Sequence, residues 1–384
     1  MNMQRIYLDN NASTPASPEV IAEMLPYLAA LHGNPSSNHW FGQRAKAALE
    51  EARNRVAALI HAPPSRLFFT SGGTEANNAV IWGVIHAVPG KRHIIASRVE
   101  HRSVLEPLNF LCGRGYEIEL LDVDKEGGLD LEGLKKRLRP DTLLVSLLGV
   151  NNETGVLWPI AEIGGLLRER GILFHCDGVQ MLGKIETDVM HLAVDFLSMS
   201  GHKIHGPKGV GAVYIRRGAP FVPLIMGGGQ ENNRRAGTEN VPGIVGFGKA
   251  AELAAAWLAC YGRNVGLLRD QLERAILARI PEALVNGLGL PRLPNTINVS
   301  FKGASAEAMV QELDELGFAV SAHSACHSND LDPSHVLSAM GVPEAYLHGT
   351  LRISLSSRNT AEEIDNFLRV LPGVVAKSRR TFSV

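Results

Sequence analysis

The stretch Ser200-Gly201-His202-Lys203-Ile204-His205-Gly206-Pro207-Lys208-Gly209-Val210-Gly211 decides how the rest of this chain is interpreted. It lies between the apolar runs 194–199 and 211–215, both of which predict buried strands. Four glycines leave little side-chain bulk around Lys203. A lysine enclosed in such a loop loses its charge readily and can form a Schiff base with an aldehyde cofactor. Taken alone, the stretch also fits a surface turn whose lysines are solvated.

The overall composition is that of an ordinary soluble globular protein. The 384 residues are 45% hydrophobic and 20% charged, and the formal net charge is −1. This balance indicates no nucleic-acid partner and no acidic tail. We see no apolar run of about 18 residues, which a membrane span needs, and no signal-peptide pattern at the start. We therefore predict a chain without membrane or direct nucleic-acid partners, long enough for two domains.

The four cysteines, Cys112, Cys176, Cys260 and Cys326, are far apart and form no Cys-x-x-Cys pair. We therefore expect neither a disulfide framework nor a metal site, and we predict a reducing, cytoplasmic location. Cys112 and Cys260 lie in apolar helical runs, and Cys176 ends a predicted strand, so all three are predicted to be buried and inert. Cys326 lies among small and polar residues, which predicts an exposed thiol.

A glycine-rich turn follows the predicted strand 67–70. Ser71-Gly72-Gly73-Thr74 begins the next helix, and a helix N-terminus directs free backbone N–H groups and a dipole at an anion. The hydroxyls of Ser71 and Thr74 can add hydrogen bonds to phosphate oxygens. We find neither Gly-x-x-x-x-Gly-Lys-Ser/Thr nor Gly-x-Gly-x-x-Gly, which argues against a nucleotide. The turn therefore predicts either a phosphate site of another kind or a plain loop.

Strand-like apolar runs then alternate with helical patterns. The predicted strands are 93–97, 118–123, 143–150 and 172–176, and the predicted helices are 103–111, 131–138 and 160–170. This alternation predicts an α/β fold with a mainly parallel sheet and a site outside the carboxyl ends of its strands. His101, Asn152 and Asp177 each follow such a strand, so we expect them to meet at that edge.

The last third of the chain predicts a smaller unit after a long alanine-rich helix over 241–280. Its predicted elements are strands 295–301, 319–321 and 351–355 and helices 305–316 and 361–371. Cys326 lies in a loop between them. We predict a large domain over residues 14–255 and a small domain formed by residues 1–13 and 256–384.

Nearly the whole chain resembles the cysteine desulfurases, which share the class V aminotransferase fold and use pyridoxal 5′-phosphate. The matching blocks are 7–15 (YLDNNASTP), 33–37 (GNPSS), 69–75 (FTSGGTE), 99–101 (VEH), 151–155 (NNETG), 175–180 (HCDGVQ), 200–211 (SGHKIHGPKGVG), 235–240 (RAGTEN) and 324–326 (SAC). The resemblance implies the fold type I of pyridoxal-phosphate-dependent transferases, with a large mainly parallel-sheet domain plus a small α/β domain. It also implies a homodimer.

The resemblance implies a role for each matching residue around the cofactor ring. Lys203 would hold the cofactor through a Schiff base and then act as an acid and base. Asp177 would pair with the protonated pyridine nitrogen and keep the ring an electron sink. His101 would stack on the ring and relay protons, and Gln180 would bond the phenolic oxygen.

The phosphate and the substrate would be bound by further matching residues. The phosphate ligands would be Gly73, Thr74, Ser200 and His202, with Thr238 reaching in from a second subunit. Asn152, which would also contact the cofactor, and Arg352 would hold the carboxylate of the substrate, the arginine through a two-pronged pair.

Cys326 would distinguish this chain from ordinary transaminases. The resemblance implies that its thiolate attacks the sulfur of cofactor-bound L-cysteine, leaving L-alanine and a persulfide on Cys326. A sulfur-acceptor protein would take this sulfur toward iron–sulfur clusters, thiolated RNA or modified DNA.

Two alternatives stay open. The sequence Ala325-Cys326-His327-Ser328 resembles that of selenocysteine lyases, so L-selenocysteine is an alternative substrate. A sulfur-relay or scaffold protein without turnover would lack Lys203, Asp177 or Cys326, and all three are present. We predict a homodimeric, cytoplasmic cysteine desulfurase.

Overall fold

The computed structural model of this chain describes residues 5–322 and 333–381. The strands are β1 (Ile6–Tyr7), β2 (Leu67–Thr70), β3 (His93–Ser97), β4 (Glu117–Leu121), β5 (Thr142–Leu148), β6 (Leu173–Asp177), β7 (Phe196–Ser200), β8 (Gly211–Ile215), β9 (Ala283–Val285), β10 (Thr296–Phe301), β11 (Phe318–Ala319) and β12 (Thr350–Ser354). The helices are α1 (Pro18–Leu28), α2 (Trp40–Leu59), α3 (Gly73–Ala87), α4 (Arg102–Cys112), α5 (Leu131–Arg137), α6 (Ile160–Glu169), α7 (Gln230–Asn233), α8 (Val241–Arg279), α9 (Ala306–Glu315), α10 (His335–Ala339), α11 (Glu344–Leu347) and α12 (Ala361–Thr381).

A seven-stranded sheet with the order β2-β8-β7-β6-β5-β3-β4 forms the larger part of the fold. The neighbouring strands β7, β6, β5, β3 and β4 pair in parallel. Strand β8 pairs antiparallel with both β7 and β2. Successive strand residues point to opposite faces, so Ile94 and Ile95 are buried in two different apolar clusters. The helices cover both faces, and the predicted mainly parallel α/β sheet is confirmed.

A separate apolar cluster is built from both ends of the chain. It includes Leu8 near the start and Phe301 and Phe367 near the end. Two small sheets surround it, with the strand orders β12-β10-β9 and β1-β11. The division into domains at residues 13/14 and 255/256 stays a prediction.

Helix α8 connects the two parts of the fold. Among the described residues, α8 is the one helix that is long and apolar enough to cross a membrane, judged by length and composition alone. In its most apolar stretch of 18 residues, 44% is buried inside the protein. Ile244 and Phe247 pack in the larger core, and Leu272 packs in the smaller one. These contacts are those of a core helix in a folded protein.

Some predicted bounds are wrong. Helix α12 continues to Thr381 through Pro372, past the predicted end at 371, because Val374 and Val375 are buried in the smaller core. The strand predicted at 319–321 is only Phe318–Ala319, followed by a single bridge from Ser321 to Arg352.

Candidate active site

One cavity at the carboxyl edge of the large sheet gathers most of the predicted site residues. Its walls contain Gly73, Thr74, His101, Asn152, Asp177, Gln180, Ser200, His202, Lys203 and Arg352, together with Asn11, Ala12, Asn77, Ser103, Leu148, Val150 and Val179. Asp177 and Ser200 are the last residues of the neighbouring strands β6 and β7. His101 caps helix α4, and Arg352 comes from β12 of the smaller sheet. The predicted meeting of polar residues at strand ends is therefore observed.

Lys203 reaches the cavity from the short 3-10 turn that follows β7. Its Nζ donates to the backbone oxygens of Asn11, at 2.7 Å, and Ala12, at 2.9 Å. The loop folds back tightly on itself at Gly206. A Cβ on this residue would lie only 2.7 Å from the backbone oxygen of Gly201, so the close approach requires glycine. The predicted glycine-rich, enclosed setting of this lysine is observed.

The carboxylate of Asp177 is held in a fixed orientation. Its Oδ2 accepts from Nδ2 of Asn77 at 2.7 Å, and its Oδ1 accepts from the backbone N–H of Val179 at 3.0 Å. Asp177 is buried, and both of its oxygens have donors in the protein. Such a carboxylate can pair with a cationic ring nitrogen in the cavity.

The N-terminus of α3 and nearby hydroxyls form an anion cradle. Gly73 begins the helix, and a Cβ there would lie 2.8 Å from the side chain of Val179. The buried Oγ of Ser200 has no hydrogen-bond partner in the described residues. Burial, followed by the charges of nearby lysines, lowers the pKa of His202 to about 4. His202 is thus neutral at physiological pH and keeps one N–H for an anion.

Arg352 is buried and also lines the cavity. One of its terminal nitrogens donates to Oδ1 of Asp9 at 2.9 Å, and the other donates to the backbone oxygen of Asn152 at 3.3 Å. Its Nε has no partner within residues 5–322 and 333–381. A fixed guanidinium of this kind fits a carboxylate ligand.

Thr238 is not among the described residues that line this cavity. Thr238 lines a separate cavity with Phe69, Arg235 and Asn240, so its predicted contact with a second subunit stays a prediction. Cys326 lies outside the described residues.

Four residues in or beside the cavity have no role predicted from the sequence: Asn11, Asn77, Ser103 and Lys184. Asn11 was visible in the matching block 7–15, and Asn77 lies four residues after Gly73, which places it on the same helix face. Ser103 follows His101 closely enough to contact its ring. Lys184 carried no signal beyond its spacing of four residues from Gln180.

The predictions for the other cysteines are partly wrong. Cys176 is buried, and burial raises the pKa of its thiol well above the ordinary value, as expected for an inert cysteine. Cys112 is exposed and Cys260 is half-buried. Helix α4 buries Val104, Leu108 and Leu111, which leaves Cys112 off its apolar face. In the described part of the chain, no group of three His, Cys, Asp or Glu residues could hold a metal ion.

The family model for Aminotransferase class-V matches residues 6–367. The curated protein named Cysteine desulfurase from Trichormus azollae is 48% identical over 377 residues, covering 98% of this chain and 94% of that protein. The chain belongs to the cysteine desulfurase family. The predicted membership in this family and the predicted fold class are therefore confirmed. The names of the relatives favour a cysteine desulfurase over the alternative of a selenocysteine lyase.

Solved structures agree with this membership. A NifS-like protein is 38% identical with a TM-score of 0.91, covering 97% of this chain and 100% of that one. SspA in complex with cysteine is 35% identical with a TM-score of 0.82, covering 92% of this chain and 99% of that one.

Proposed function

We propose that this desulfurase binds pyridoxal 5′-phosphate in the cavity and transfers the sulfur of L-cysteine to Cys326, releasing L-alanine. The observation that carries the proposal is the presence of Lys203, Asp177 and the N-terminus of α3 in the walls of a single cavity. An amine, a carboxylate and an anion cradle are the three groups that recognise an aldehyde, a pyridine nitrogen and a phosphate.

The residues present fit this cofactor. Gly73, Thr74, Ser200 and His202 would hold the phosphate, and the unpartnered Oγ of Ser200 would gain an acceptor there. Lys203 would bind the aldehyde carbon, and Asp177 the ring nitrogen. His101 would lie against the ring, Asn152 would contact it, and Gln180 would bond the phenolic oxygen.

When bound, pyridoxal phosphate supplies an electron sink for negative charge at the α-carbon of an amino acid. The residues of the chain supply orientation and proton transfer. Arg352 and Asn152 would fix the carboxylate of L-cysteine, and Lys203 would remove and return protons at the carbon atoms. His101 would hold or pass on the proton of the substrate thiol.

Sulfur transfer would occur at Cys326. The bond between Cβ and sulfur of the substrate breaks while a sulfur–sulfur bond forms on the thiolate of Cys326, and the carbon keeps the electron pair and gains a proton. The sum is L-cysteine plus a protein thiol giving L-alanine plus a protein persulfide. Described residues on either side of positions 323–332 lie close to the site. Ser321 accepts from Arg352 at 3.3 Å, and Ser334 donates at 2.6 Å to the buried Glu153, which follows Asn152 in the chain.

The assembly and partners belong to the same proposal. The protein would be a cytoplasmic homodimer of subunits with the predicted large and small domains, in which Thr238 completes the phosphate site of the second subunit. Within one subunit, Nε of Arg235 donates to Glu75 of helix α3 at 3.0 Å, so the loop that carries Thr238 lies beside the helix that would bind the phosphate. A sulfur-acceptor protein would discharge the persulfide.

Turnover measurements test the proposal. The purified protein, supplied with pyridoxal phosphate and a reducing thiol, should form L-alanine and sulfide from L-cysteine. Turnover of L-selenocysteine with none of L-cysteine would instead identify a selenocysteine lyase. Failure to turn over either amino acid, with the cofactor bound, would favour a sulfur-relay or scaffold role.

A further inference from the structure

Lys184 is a buried lysine to which the proposed reaction assigns no task. It lies in the turn after β6, four residues beyond Gln180, and only 5% of its surface is exposed. Its Nζ donates to Oε1 of Gln180 at 2.6 Å and to Oδ1 of Asn11 at 3.3 Å. Both acceptors belong to residues in the wall of the active-site cavity.

The contact with Lys184 determines which way the amide of Gln180 points. The amine of Lys184 donates to the amide oxygen of Gln180, so this oxygen faces the lysine. The amide nitrogen then faces Asn11, and it donates to the backbone oxygen of Asn11 at 3.0 Å. Nε2 carries two hydrogens, so this orientation leaves one of them for a ligand in the cavity. A reversed amide would present an acceptor to that ligand instead.

The same lysine supports the residue on which Lys203 rests. The backbone oxygen of Asn11 accepts from Lys203, while its side-chain oxygen accepts from Lys184 and, at 3.1 Å, from Asn295. Asn11 also donates from Nδ2 to Thr296 at 2.9 Å. Lys184 therefore contacts both Gln180 and the residue whose backbone oxygen accepts from Lys203.

The electrostatic setting of Lys184 disfavours its charged form. Burial, and then the positive charges of Lys203 and Arg352, lower the pKa of Lys184 well below its usual value. His202 and His205 also lie in its field, and burial lowers the pKa of each of them as well. The amine carries N–H hydrogens in either protonation state, so its donation to Gln180 and Asn11 does not depend on its charge.

We propose that Lys184 is a positioning residue: it orients the amide of Gln180 so that an N–H, and not an oxygen, faces the ring oxygen of the bound cofactor. This inference rests on the proposed function, because it takes pyridoxal phosphate as the ligand. Lys184 touches neither substrate nor cofactor in this account and acts only through its two acceptors.

The test compares Lys184→Met, which has similar length and no donor, with Lys135→Met. Lys135 is a partly exposed lysine on α5, remote from the cavity, that pairs with Glu132 at 2.7 Å, so its loss controls for the removal of a lysine. The visible absorbance of the bound cofactor is expected to change with pH as the cofactor gains or loses a proton. An N–H directed at the ring oxygen favours the form in which this oxygen is anionic. Loss of that N–H should therefore raise the pH midpoint of the absorbance change by about one unit. We expect kcat/KM for L-cysteine to fall about tenfold. Lys135→Met should match the parent protein.

A double-mutant cycle separates positioning from general structural damage. If Lys184 acts through Gln180, Lys184→Met should shift the midpoint in the parent protein and add no shift in a Gln180→Ala background. An equal shift in both backgrounds, or no shift in a folded Lys184→Met protein, would overturn the inference. Lys184→Gln retains an N–H donor and should keep the midpoint of the parent protein. This variant replaces Lys184→Met if the methionine variant does not fold. A shifted midpoint in Lys184→Gln would then count against the inference.

Borohydride reduction distinguishes the failure of this inference from the failure of the proposed function. If the parent protein forms no reducible adduct on Lys203, the proposed cofactor chemistry is wrong. If the adduct forms and the midpoint is unchanged in the variants, only the role of Lys184 is wrong.

Discussion

Asn77 donates to the carboxylate of Asp177 at 2.7 Å and, from the same nitrogen, to the hydroxyl of Ser103 at 2.8 Å. That hydroxyl lies 2.7 Å from Nδ1 of His101, and Nδ1 also accepts from the backbone N–H of Ser103 at 3.1 Å. Two donors at Nδ1 place the ring proton of neutral His101 on Nε2. One hydrogen-bonded chain therefore orients both residues that we expect to contact the cofactor ring.

Substitutions of Asp177 and of Asn77 should lower turnover to different extents. Asp177→Ala should lower kcat for alanine formation by about 10²- to 10⁴-fold, since the ring nitrogen loses its ionic partner. Asn77→Ala removes one hydrogen bond to that carboxylate and should cost about tenfold. Asn109→Ala, at an exposed asparagine on α4, is the matched control and should retain activity. A fully active Asp177→Ala protein is incompatible with the proposed role.

Lys203 should carry the cofactor covalently. The purified protein is expected to be yellow, and borohydride should fix the cofactor to the peptide that contains Lys203. Lys203→Ala should lose this adduct, whereas the exposed Lys208→Ala in the same loop should keep it. The measurement is absorbance together with peptide mapping. An unchanged adduct in Lys203→Ala would refute the assignment.

Arg352 should be important for both substrate binding and stability. Arg352→Lys keeps the charge but loses the two-pronged geometry, so KM for L-cysteine should rise about 10- to 100-fold with a smaller change in kcat. Arg352→Ala leaves Asp9 without its cationic partner, and the free energy of unfolding should fall by about 3–5 kcal/mol. Steady-state kinetics and chemical denaturation measure the two effects. An unaltered KM in Arg352→Lys would count against carboxylate binding.

Glu100 should make the stability of the protein depend on pH. It is fully buried, its Oε1 accepts from Ser97 at 2.6 Å, and its Oε2 has no partner in the part of the chain that the structure describes. Burial, with a smaller contribution from Asp177, raises the pKa of Glu100 from 4.5 to about 8. The folded protein therefore keeps a proton that the unfolded chain releases, and the free energy of unfolding falls as pH rises from about 4.5 to about 8.

Glu100→Gln should remove this dependence, because the amide does not titrate. Denaturant unfolding at pH 5 and pH 8 should show a loss of a few kcal/mol in the parent protein and a smaller loss in the variant. If the two proteins lose the same free energy between these pH values, Glu100 is ionised in the folded state.

The sequence predicted the sheet and most of the cavity because both depend on local patterns. The short apolar runs of β3 and β8 match the predicted bounds 93–97 and 211–215. The carboxyl ends of parallel strands meet at one edge of a sheet, so residues that follow these strands could be grouped without coordinates.

Contacts between distant segments could not be predicted in this way. Asn11 joins Lys203, Lys184 and Asn295, and Arg352 pairs with Asp9 near the start of the chain. No periodicity links residues so far apart, and only the folded backbone brings their side chains together. The exposure of Cys112 was missed for a related reason, because an apolar helical run does not show on which face its last residue lies.

Cys326 is the remaining test of the whole assignment, and its role stays a prediction because it lies outside the described residues. Breaking the carbon–sulfur bond of L-cysteine needs a nucleophile at sulfur, whereas a carbon–selenium bond is weaker. Cys326→Ala should therefore abolish alanine formation from L-cysteine, retain the bound cofactor, and keep much of any activity toward L-selenocysteine. An ordinary thiol has a pKa of about 8.5, so an activating partner is expected. The candidates are His101, His323 and His327, of which the last two lie outside the described residues. His101 is ranked first because it lines the cavity.

The structure supplies the control for this experiment. Cys112 is the exposed cysteine of the described residues and hence the competing thiol, while Cys176 is buried with a raised pKa. After exposure to L-cysteine and cofactor, mass spectrometry should find one added sulfur on the peptide that contains Cys326, and Cys112→Ala should leave this signal unchanged. Sulfur on Cys112, Cys176 or Cys260 instead, or sulfide release at the normal rate by Cys326→Ala, would show that another group accepts the sulfur.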